Sequence, residues 1–220
     1  MEHSDPKDIS KLLIESAACL SIPIDVESAE KFSLYLQELR RWNQSINLTA
    51  IEDDREIVVK HFVDSLACTK WLGIQDGASI LDIGAGAGFP GMPIKLLFPD
   101  VTMDFIEPNE KKSAFLRYLV GRLRLEKVRV ISAKLENIGL RESQPQRYDY
   151  IVVRAFKIQP YANIIRGLLN ANGVLVLFRA TRVEPDFQLQ GLALIREVEY
   201  ELPSGFGHRV LSIFSLSSQP

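Results

Sequence analysis

A glycine-rich segment, residues 80–93, carries the residue types in this chain that point most directly to chemistry. It reads ILDIGAGAGFPGMP and lies between an apolar run and a segment with a helical pattern. Glycine adopts backbone angles that other residues avoid, and without a Cβ atom it lets the backbone approach a bound molecule closely. The segment therefore predicts a binding loop, whose ligand could be a nucleotide phosphate, a dinucleotide or another cofactor.

Two spacings can be read in this loop, and they predict different ligands. Gly86, Gly88 and Gly91 match G-x-G-x-x-G, but this frame begins late and encloses Pro90. A dinucleotide frame that begins at the end of the strand would place its third glycine at position 89, which is phenylalanine. The more natural frame is D-x-G-x-G-x-G, formed by Asp82, Gly84, Gly86 and Gly88.

A second anchor, Glu107, ends the next predicted strand, twenty-three residues after Gly84. A carboxylate there can accept hydrogen bonds from both ribose hydroxyls of an adenosine, and it would repel the 2′-phosphate of NADP. D-x-G-x-G-x-G followed by such an acid is typical of class I S-adenosylmethionine-dependent methyltransferases. That cofactor has no phosphate and needs an open loop with acids nearby. We expect Asp82 to orient the amides of the loop.

Strands and helices alternate around the loop. Runs rich in β-branched or aromatic residues predict strands at 79–83, 101–107, 128–132, 148–154 and 173–178, with helical patterns between them at 91–98, 109–125 and 160–170. This alternation predicts a Rossmann-like, doubly wound, mostly parallel sheet with helices on both faces. Two successive strands, 192–202 and 208–216, predict a closing hairpin with an antiparallel final strand.

The first third of the chain has the apolar spacing of helices. Phe32, Tyr35, Leu36, Leu39 and Trp42 fall on one helix face, and residues 54–72 carry a similar stripe. We therefore expect a helical N-terminal region at residues 1–75 and a methyltransferase domain at residues 76–217.

Composition and charge restrict the class of protein. No apolar run is long enough for a membrane span and no secretory signal is present, so we expect a cytoplasmic chain, and a monomer. Cys19 and Cys68 are expected to be buried free thiols, and with His3, His61 and His208 they form no metal-ligand pattern.

The charge is distributed unevenly along the chain, although the net formal charge is only −2. Residues 109–129 carry seven bases and two acids, and residues 154–182 carry five bases and no acid. A basic face fits a polyanionic partner, whereas solvated helix faces would produce the same composition.

Four segments together resemble the bacterial ribosomal RNA small subunit methyltransferase G family, also called glucose-inhibited division protein B. They are RRWNQSINLTAI, VVKHFVDSL, LDIGAGAGFPGMPIKLLFP and VVRAF, and the resemblance runs from about Phe32 to Phe178. It implies S-adenosylmethionine as the cofactor and methyl transfer to N7 of a guanine in 16S ribosomal RNA. The implied partner is the small ribosomal subunit or its assembly intermediate.

The resemblance and the loop analysis together assign the expected site. The cofactor-binding residues would be Gly84, Gly86, Gly88, Phe89, Glu107, Leu135, Glu136 and Arg154. By matching position, Leu135 and Glu136 would flank the adenine, and Arg154, the expected catalytic residue, would lie near the methyl group or the target base. The substrate-binding residues would be His61, Asp64 and Ser65, on a helix over the pocket mouth, and the basic Lys111, Lys112 and Arg179.

The residue types agree with transfer to N7. Cytosine C5 enzymes need a cysteine nucleophile, but both cysteines lie in the helical third. Guanine N7 has a lone pair and no proton, so its methylation needs positioning and no general base. His61 could equally serve a helix–helix hydrogen bond, Asp64 could pair with Lys60, and Phe156 and Tyr161 could stack on a base or belong to the core.

Several alternatives stay open. The sequence departs from the usual family pattern at Lys134, Pro108 and Arg179-Ala180. The chain could therefore methylate another RNA or a small molecule, or bind the cofactor without transferring its methyl group. An NAD-dependent oxidoreductase is disfavoured by Phe89, which occupies the place of the third glycine.

Overall fold

The computed structural model describes residues 5–138 and 146–217, so His3 and the last three residues lie outside the described part. Its strands are β1 Ser79–Ile83, β2 Thr102–Ile106, β3 Val128–Ile131, β4 Tyr148–Arg154, β5 Leu169–Arg179, β6 Leu192–Glu201 and β7 His208–Leu216. They form one sheet in the order β3-β2-β1-β4-β5-β7-β6. The first five strands in this order run parallel, and β7 is antiparallel to both β5 and β6. The predicted fold class and closing hairpin are therefore confirmed.

Helices cover both faces of the sheet unequally. They are α1 Pro6–Cys19, α2 Val26–Asn43, α3 Asp54–Ile57, α4 Asp64–Leu66, α5 Thr69–Leu72, α6 Gly91–Leu97, α7 Glu110–Arg122 and α8 Ala162–Leu168. Side-chain caps start the longer ones: Asp25 accepts from the Ser28 amide at 2.6 Å, and Asn109 accepts from the amides of Lys111 and Lys112. Such caps satisfy amides that have no partner within the helix.

The N-terminal helices share their apolar core with the sheet. One core joins Phe32 and Leu36 of α2 to Phe105 of β2 and Phe115 of α7. A smaller core on the opposite face joins Ile83 and other strand residues to α8. The helical region is thus packed onto one face of the sheet, close to the glycine loop.

Three sequence predictions differ from the structure in detail. Residues 54–66 include a π-helical turn, Val58–Val63, where an uninterrupted α-helix was expected. The helix predicted at 160–170 ends at Leu168, because β5 begins at Leu169 to pair with the start of β4. Cys19, expected to be buried, is exposed at the end of α1, whereas Cys68 is buried.

The strand order indicates a ligand crevice at the carboxyl ends of β1 and β4. β1 pairs with β2 on one side and with β4 on the other, so the chain leaving β3 must cross to the far side of β1. Ligands in open α/β sheets bind where the strand order reverses in this way. The glycine loop that follows β1 and the residues that follow β4 therefore face the same crevice.

Close packing between α6 and the sheet depends on Gly91. A Cβ atom there would lie 2.6 Å from Phe105 Cε1 and 2.7 Å from Asp82 Oδ2. We predict that Gly91→Ala lowers the free energy of unfolding by about 1–3 kcal/mol through overpacking, as measured by urea denaturation. Gly121→Ala is the matched control, because no atom lies within 4 Å of a Cβ built in that α7 position. Equal stability of the two variants would contradict the prediction.

Candidate functional site

The glycine loop has a conformation that only glycine adopts readily. Gly84, Gly86 and Gly88 have φ values of +71°, +58° and +103°. The amides of Gly84 and Ala85 both donate to the Ile106 carbonyl oxygen, at 2.9 and 3.1 Å. A Cβ atom on Gly86 would meet only the Gly84 carbonyl oxygen, at 3.9 Å, so this side of the loop borders open space that a ligand can fill.

Glu107 ties the loop to the start of α7. Its carboxylate is 6% exposed; Oε2 accepts from the Gly86 amide at 2.8 Å and Oε1 from the Asn109 amide at 2.8 Å. A carboxylate has about four acceptor positions, so these bonds leave capacity for further donors such as ribose hydroxyls. The acid is therefore held in a fixed orientation beside the open side of the loop.

Asp82 orients a loop amide, as predicted. It is fully buried in β1, and its Oδ2 accepts from the Gly91 amide at 2.7 Å. Burial raises the pKa of Asp82 to about 7, although the Gly91 hydrogen bond and the charge of Arg154 oppose the rise. The buried carboxylate of Asp82 therefore connects β1 to the end of the glycine-rich segment, where α6 begins at Gly91.

The loops after β3 and β4 form the opposite wall. Leu135 is buried and Glu136 is exposed, and Glu136 Oε1 accepts from the Tyr161 hydroxyl at 3.1 Å. Tyr161 stacks on Phe156 with ring centroids 5.5 Å apart, and Phe156 Cδ2 lies 3.1 Å from a Cβ built on Gly84. Phe156 and Tyr161 are both half-buried at the crevice.

Arg154 ends β4 and points toward the N-terminal region. Its Nη2 lies 2.5 Å from His61 Nδ1, its Nη1 lies 3.4 Å from Asp64 Oδ2, and the guanidinium sits 5.3 Å from the Phe89 ring centroid. Burial lowers the pKa of Arg154, and the charge of Asp64 opposes this. The side chain nevertheless remains 18% exposed, so it is only partly shielded from solvent.

These contacts fix the protonation of His61. A guanidinium has no acceptor, so His61 Nδ1 must accept its hydrogen bond, and the ring proton is on Nε2, which lies 2.8 Å from Thr49 Oγ1. The imidazole also stacks on Phe89, with centroids 4.5 Å apart. Burial and the charge of Arg154 lower the pKa of His61 from 6.5 to about 3.

Asp64 and Ser65 face the interior. Asp64 is 4% exposed; its Oδ1 accepts from the Tyr200 hydroxyl at 2.7 Å, and burial raises its pKa. Ser65 is fully buried and donates to the His61 carbonyl oxygen. This burial leaves almost no surface of either side chain for a substrate, and their direct contact with a substrate stays a prediction. The suggested Asp64–Lys60 pair is wrong, because Lys60 pairs with Glu56 at 2.8 Å.

The basic side chains that were predicted to form one surface lie at separate places along α7 and at the end of β5. Lys111 is exposed and Lys112 half-buried in the first turn, next to the crevice. Arg122 lies about 16 Å further along the helix axis, and its Nε lies 3.1 Å from Glu38 Oε1. Arg179, at the end of β5, lies over the Phe187 ring at 5.4 Å and donates to the Thr181 carbonyl oxygen.

Sequence reasoning missed three supports of the site: Tyr35, Thr49 and Tyr200. Each uses a hydroxyl group to contact the loop, His61 or Asp64. The helical spacing predicts Tyr35 on an apolar helix face, and its ring does lie in the core. Its hydroxyl is the one feature of the sequence that indicates a hydrogen bond there. Phe89, expected at the cofactor, is 6% exposed and packs between Tyr35 and His61.

Two further properties concern the described residues as a whole. None of their helices is both long enough and apolar enough to cross a membrane. Within the same residues, no three or more His, Cys, Asp or Glu side chains are grouped so that they could hold a metal ion.

Comparison with known proteins identifies the family. A family model described as rRNA small subunit methyltransferase G matches residues 28–199. Ribosomal RNA small subunit methyltransferase G of Acetivibrio thermocellus is 39% identical over 158 residues, covering 71% of this chain and 65% of that protein, which is slightly under two thirds of its length. The protein of the same name from Geobacter sulfurreducens is 36% identical over 209 residues, covering 91% of this chain and 94% of its own.

A solved structure agrees at the level of fold. Coclaurine N-methyltransferase, with N-methylheliamine and SAH bound, matches with a TM-score of 0.52 at 15% identity, covering 90% of this chain and 76% of that one. The family predicted from the four sequence segments is thus confirmed. With its family match across residues 28–199 and its class I sheet, this chain belongs to the rRNA small subunit methyltransferase G family.

Proposed function

We propose that this chain transfers the methyl group of S-adenosylmethionine to N7 of a guanine in 16S ribosomal RNA. Its substrate would be the small subunit or an assembly intermediate, and it would act as a cytoplasmic monomer. Family membership supports the cofactor and the class of RNA. The choice of N7 is carried by one observation, which is that both ring nitrogens of His61, the imidazole stacked on Phe89 beside the loop, are already engaged by Arg154 and Thr49.

The crevice fits the cofactor by its shape and by its donors and acceptors. The open side of the loop at Gly86 leaves room for the amino-acid end, Glu107 retains acceptor capacity for the ribose hydroxyls, and Leu135 and Glu136 border the place for the adenine. S-adenosylmethionine supplies an electrophilic methyl group bonded to a sulfonium. Coclaurine N-methyltransferase, a protein of similar fold, has been solved with SAH bound, which supports a cofactor of this class here.

The chain's own groups favour an acceptor that has no proton to lose. His61 has a pKa of about 3 and its Nδ1 is occupied by Arg154, so it is a poor proton acceptor near neutral pH. Asp82 has a pKa of about 7 but is fully buried and bonded to the Gly91 amide. Guanine N7 needs no base, so the enzyme's work is to position the guanine and exclude water.

Arg154 is the residue best suited to that positioning. It is anchored by His61 and Asp64 while 18% of its side chain stays exposed at the end of β4. A planar guanidinium held in this way can donate to guanine O6 or to a phosphate. Lys111 and Lys112, at the rim beside Glu107, would contribute phosphate contacts.

The function is tested by mass mapping of modified nucleotides in small-subunit RNA from cells with and without this gene. We expect one 7-methylguanosine to be absent without the gene and to be restored when purified protein and S-adenosylmethionine are added to small subunits from those cells. Methylation at another base atom would exclude N7 as the acceptor. An unchanged modification map would favour the alternative of a different RNA or a small-molecule substrate.

Glu107 provides a test of the cofactor site. We predict that Glu107→Gln weakens SAH binding by about 1–3 kcal/mol in calorimetry, because ribose hydroxyls lose a charged acceptor. Glu110→Gln, an exposed substitution one turn away with the same change of charge, should leave affinity unchanged. Equal affinity of both variants, or tight binding of NAD by the wild-type chain, would contradict the prediction.

The pH dependence tests the proton-free mechanism. No change of the single-turnover rate at saturating cofactor between about pH 6 and 8 should come from His61, since His61, with its pKa of about 3, remains neutral throughout. A step near pH 7 that persists in His61→Ala would come from Asp82, whose pKa is about 7. Arg154→Ala should lower this rate, because the guanine loses its positioning group. A rate that rises through an ordinary histidine pKa in the wild type, and loses that rise in His61→Ala, would instead identify His61 as a base.

A further inference from the structure

Tyr35 reaches the glycine loop from outside the methyltransferase sheet. It lies in the middle of α2, it is fully buried, and its hydroxyl donates to the Ala87 carbonyl oxygen at 2.6 Å. Ala87 stands between Gly86 and Gly88, next to the position where a built Cβ atom meets only the Gly84 carbonyl oxygen, at 3.9 Å. A side chain of the N-terminal region is therefore bonded directly to the backbone of the expected cofactor loop.

The hydrogen bond from Tyr35 fixes the orientation of the Ala87–Gly88 peptide group, which could otherwise rotate. The amide of the same peptide unit, Gly88 N–H, donates to the Ala85 carbonyl oxygen at 2.7 Å, so Tyr35 and Ala85 hold the unit at its two ends. Gly88 has φ +103°. Because glycine has no Cβ atom, there is little steric hindrance to rotation of the peptide group that precedes it. Without the hydroxyl, the buried carbonyl would lack its hydrogen-bond partner and would tend to turn toward the solvent in the crevice.

The residues around Tyr35 leave space for its hydroxyl and pack against its ring. A Cβ atom on residue 88 would lie 2.9 Å from the Tyr35 hydroxyl oxygen, so the loop needs glycine at the point where tyrosine approaches. The Tyr35 ring stacks on Phe89 at 5.5 Å and packs against Phe62 at 5.1 Å. These ring contacts do not depend on the hydroxyl, so removing it alone isolates the bond to the loop.

We infer that Tyr35 is a positioning residue for the cofactor, whose hydroxyl holds the Ala87–Gly88 peptide in the orientation that S-adenosylmethionine requires. This inference rests on the proposed function of the loop. It assigns to the N-terminal helical region a direct part in cofactor affinity, in addition to its part in the core.

The test compares two substitutions that each remove the hydroxyl of a buried tyrosine from a short hydrogen bond. Tyr35→Phe removes the bond to the loop. Tyr148→Phe removes a bond of the same length, 2.6 Å, from the buried Tyr148 hydroxyl to Asp104 Oδ2. Tyr148 begins β4, about 20 Å from Arg154 along the strand, so it is remote from the crevice.

Affinity for SAH is measured by calorimetry, and stability by urea unfolding, on the full chain and both variants. We expect Tyr35→Phe to weaken SAH binding by about fivefold to tenfold, as expected for one hydrogen bond, and Tyr148→Phe to leave affinity unchanged although both variants unfold more easily. In a transfer assay, Tyr35→Phe should raise KM for the cofactor and leave kcat at saturation near the wild-type value.

Three outcomes would contradict the inference. Wild-type affinity in Tyr35→Phe would overturn it and leave the proposed function intact. An equal loss of affinity in both variants would trace the effect to general destabilisation and would also overturn it. Failure of the wild-type chain to bind SAH would overturn the proposed function itself, and the role of Tyr35 with it.

Discussion

The buried guanidinium of Arg154 constrains how the N-terminal helices meet the sheet. A charge removed from water needs compensation, and here it comes from Asp64, the His61 ring nitrogen and the face of Phe89. Removing one partner of a fully buried ion pair costs roughly 3–5 kcal/mol, and we expect less here because 18% of the Arg154 side chain is exposed. The π-helical turn that carries His61 thereby lies against the carboxyl end of β4.

The same contacts determine the chemistry available to the site. Because the guanidinium can only donate, it fixes the tautomer of His61 and, with burial, keeps this ring neutral. His61, which would otherwise be the obvious proton acceptor, therefore has a structural role instead. An acceptor atom that loses no proton, such as guanine N7, is compatible with this arrangement, whereas one that must be deprotonated would need a base from elsewhere.

The glycine loop is held by hydrogen bonds from the protein itself. Amides of the loop donate to Ile106, Ala85 and Glu107, and the Ala87 carbonyl accepts from Tyr35. Groups that the protein already fixes lose less conformational entropy when a ligand binds. The N-terminal region and the sheet therefore act as one unit at the crevice, even though their sequence patterns look separate.

The class of fold, the glycine loop and the family could all be predicted from the amino-acid sequence. Strand positions were predictable because hydrophobic periodicity is local, and β1 was assigned to the residues that the structure assigns to it, Ser79–Ile83. The role of Asp82 followed from its place in the loop motif. These features depend on neighbours within a few residues.

The contacts of individual side chains near the crevice could not be predicted in the same way. Asp64 pairs with Arg154 and Tyr200, ninety or more residues away, in place of Lys60 one turn back, and Ser65 turns inward. Arg122 and Lys111 share one basic segment but lie at opposite ends of α7. The hydroxyl of Tyr35 reaches Ala87 across fifty-two residues. Such contacts arise from the packing of helices on the sheet, and the spacing of residues along the chain carries no record of that packing.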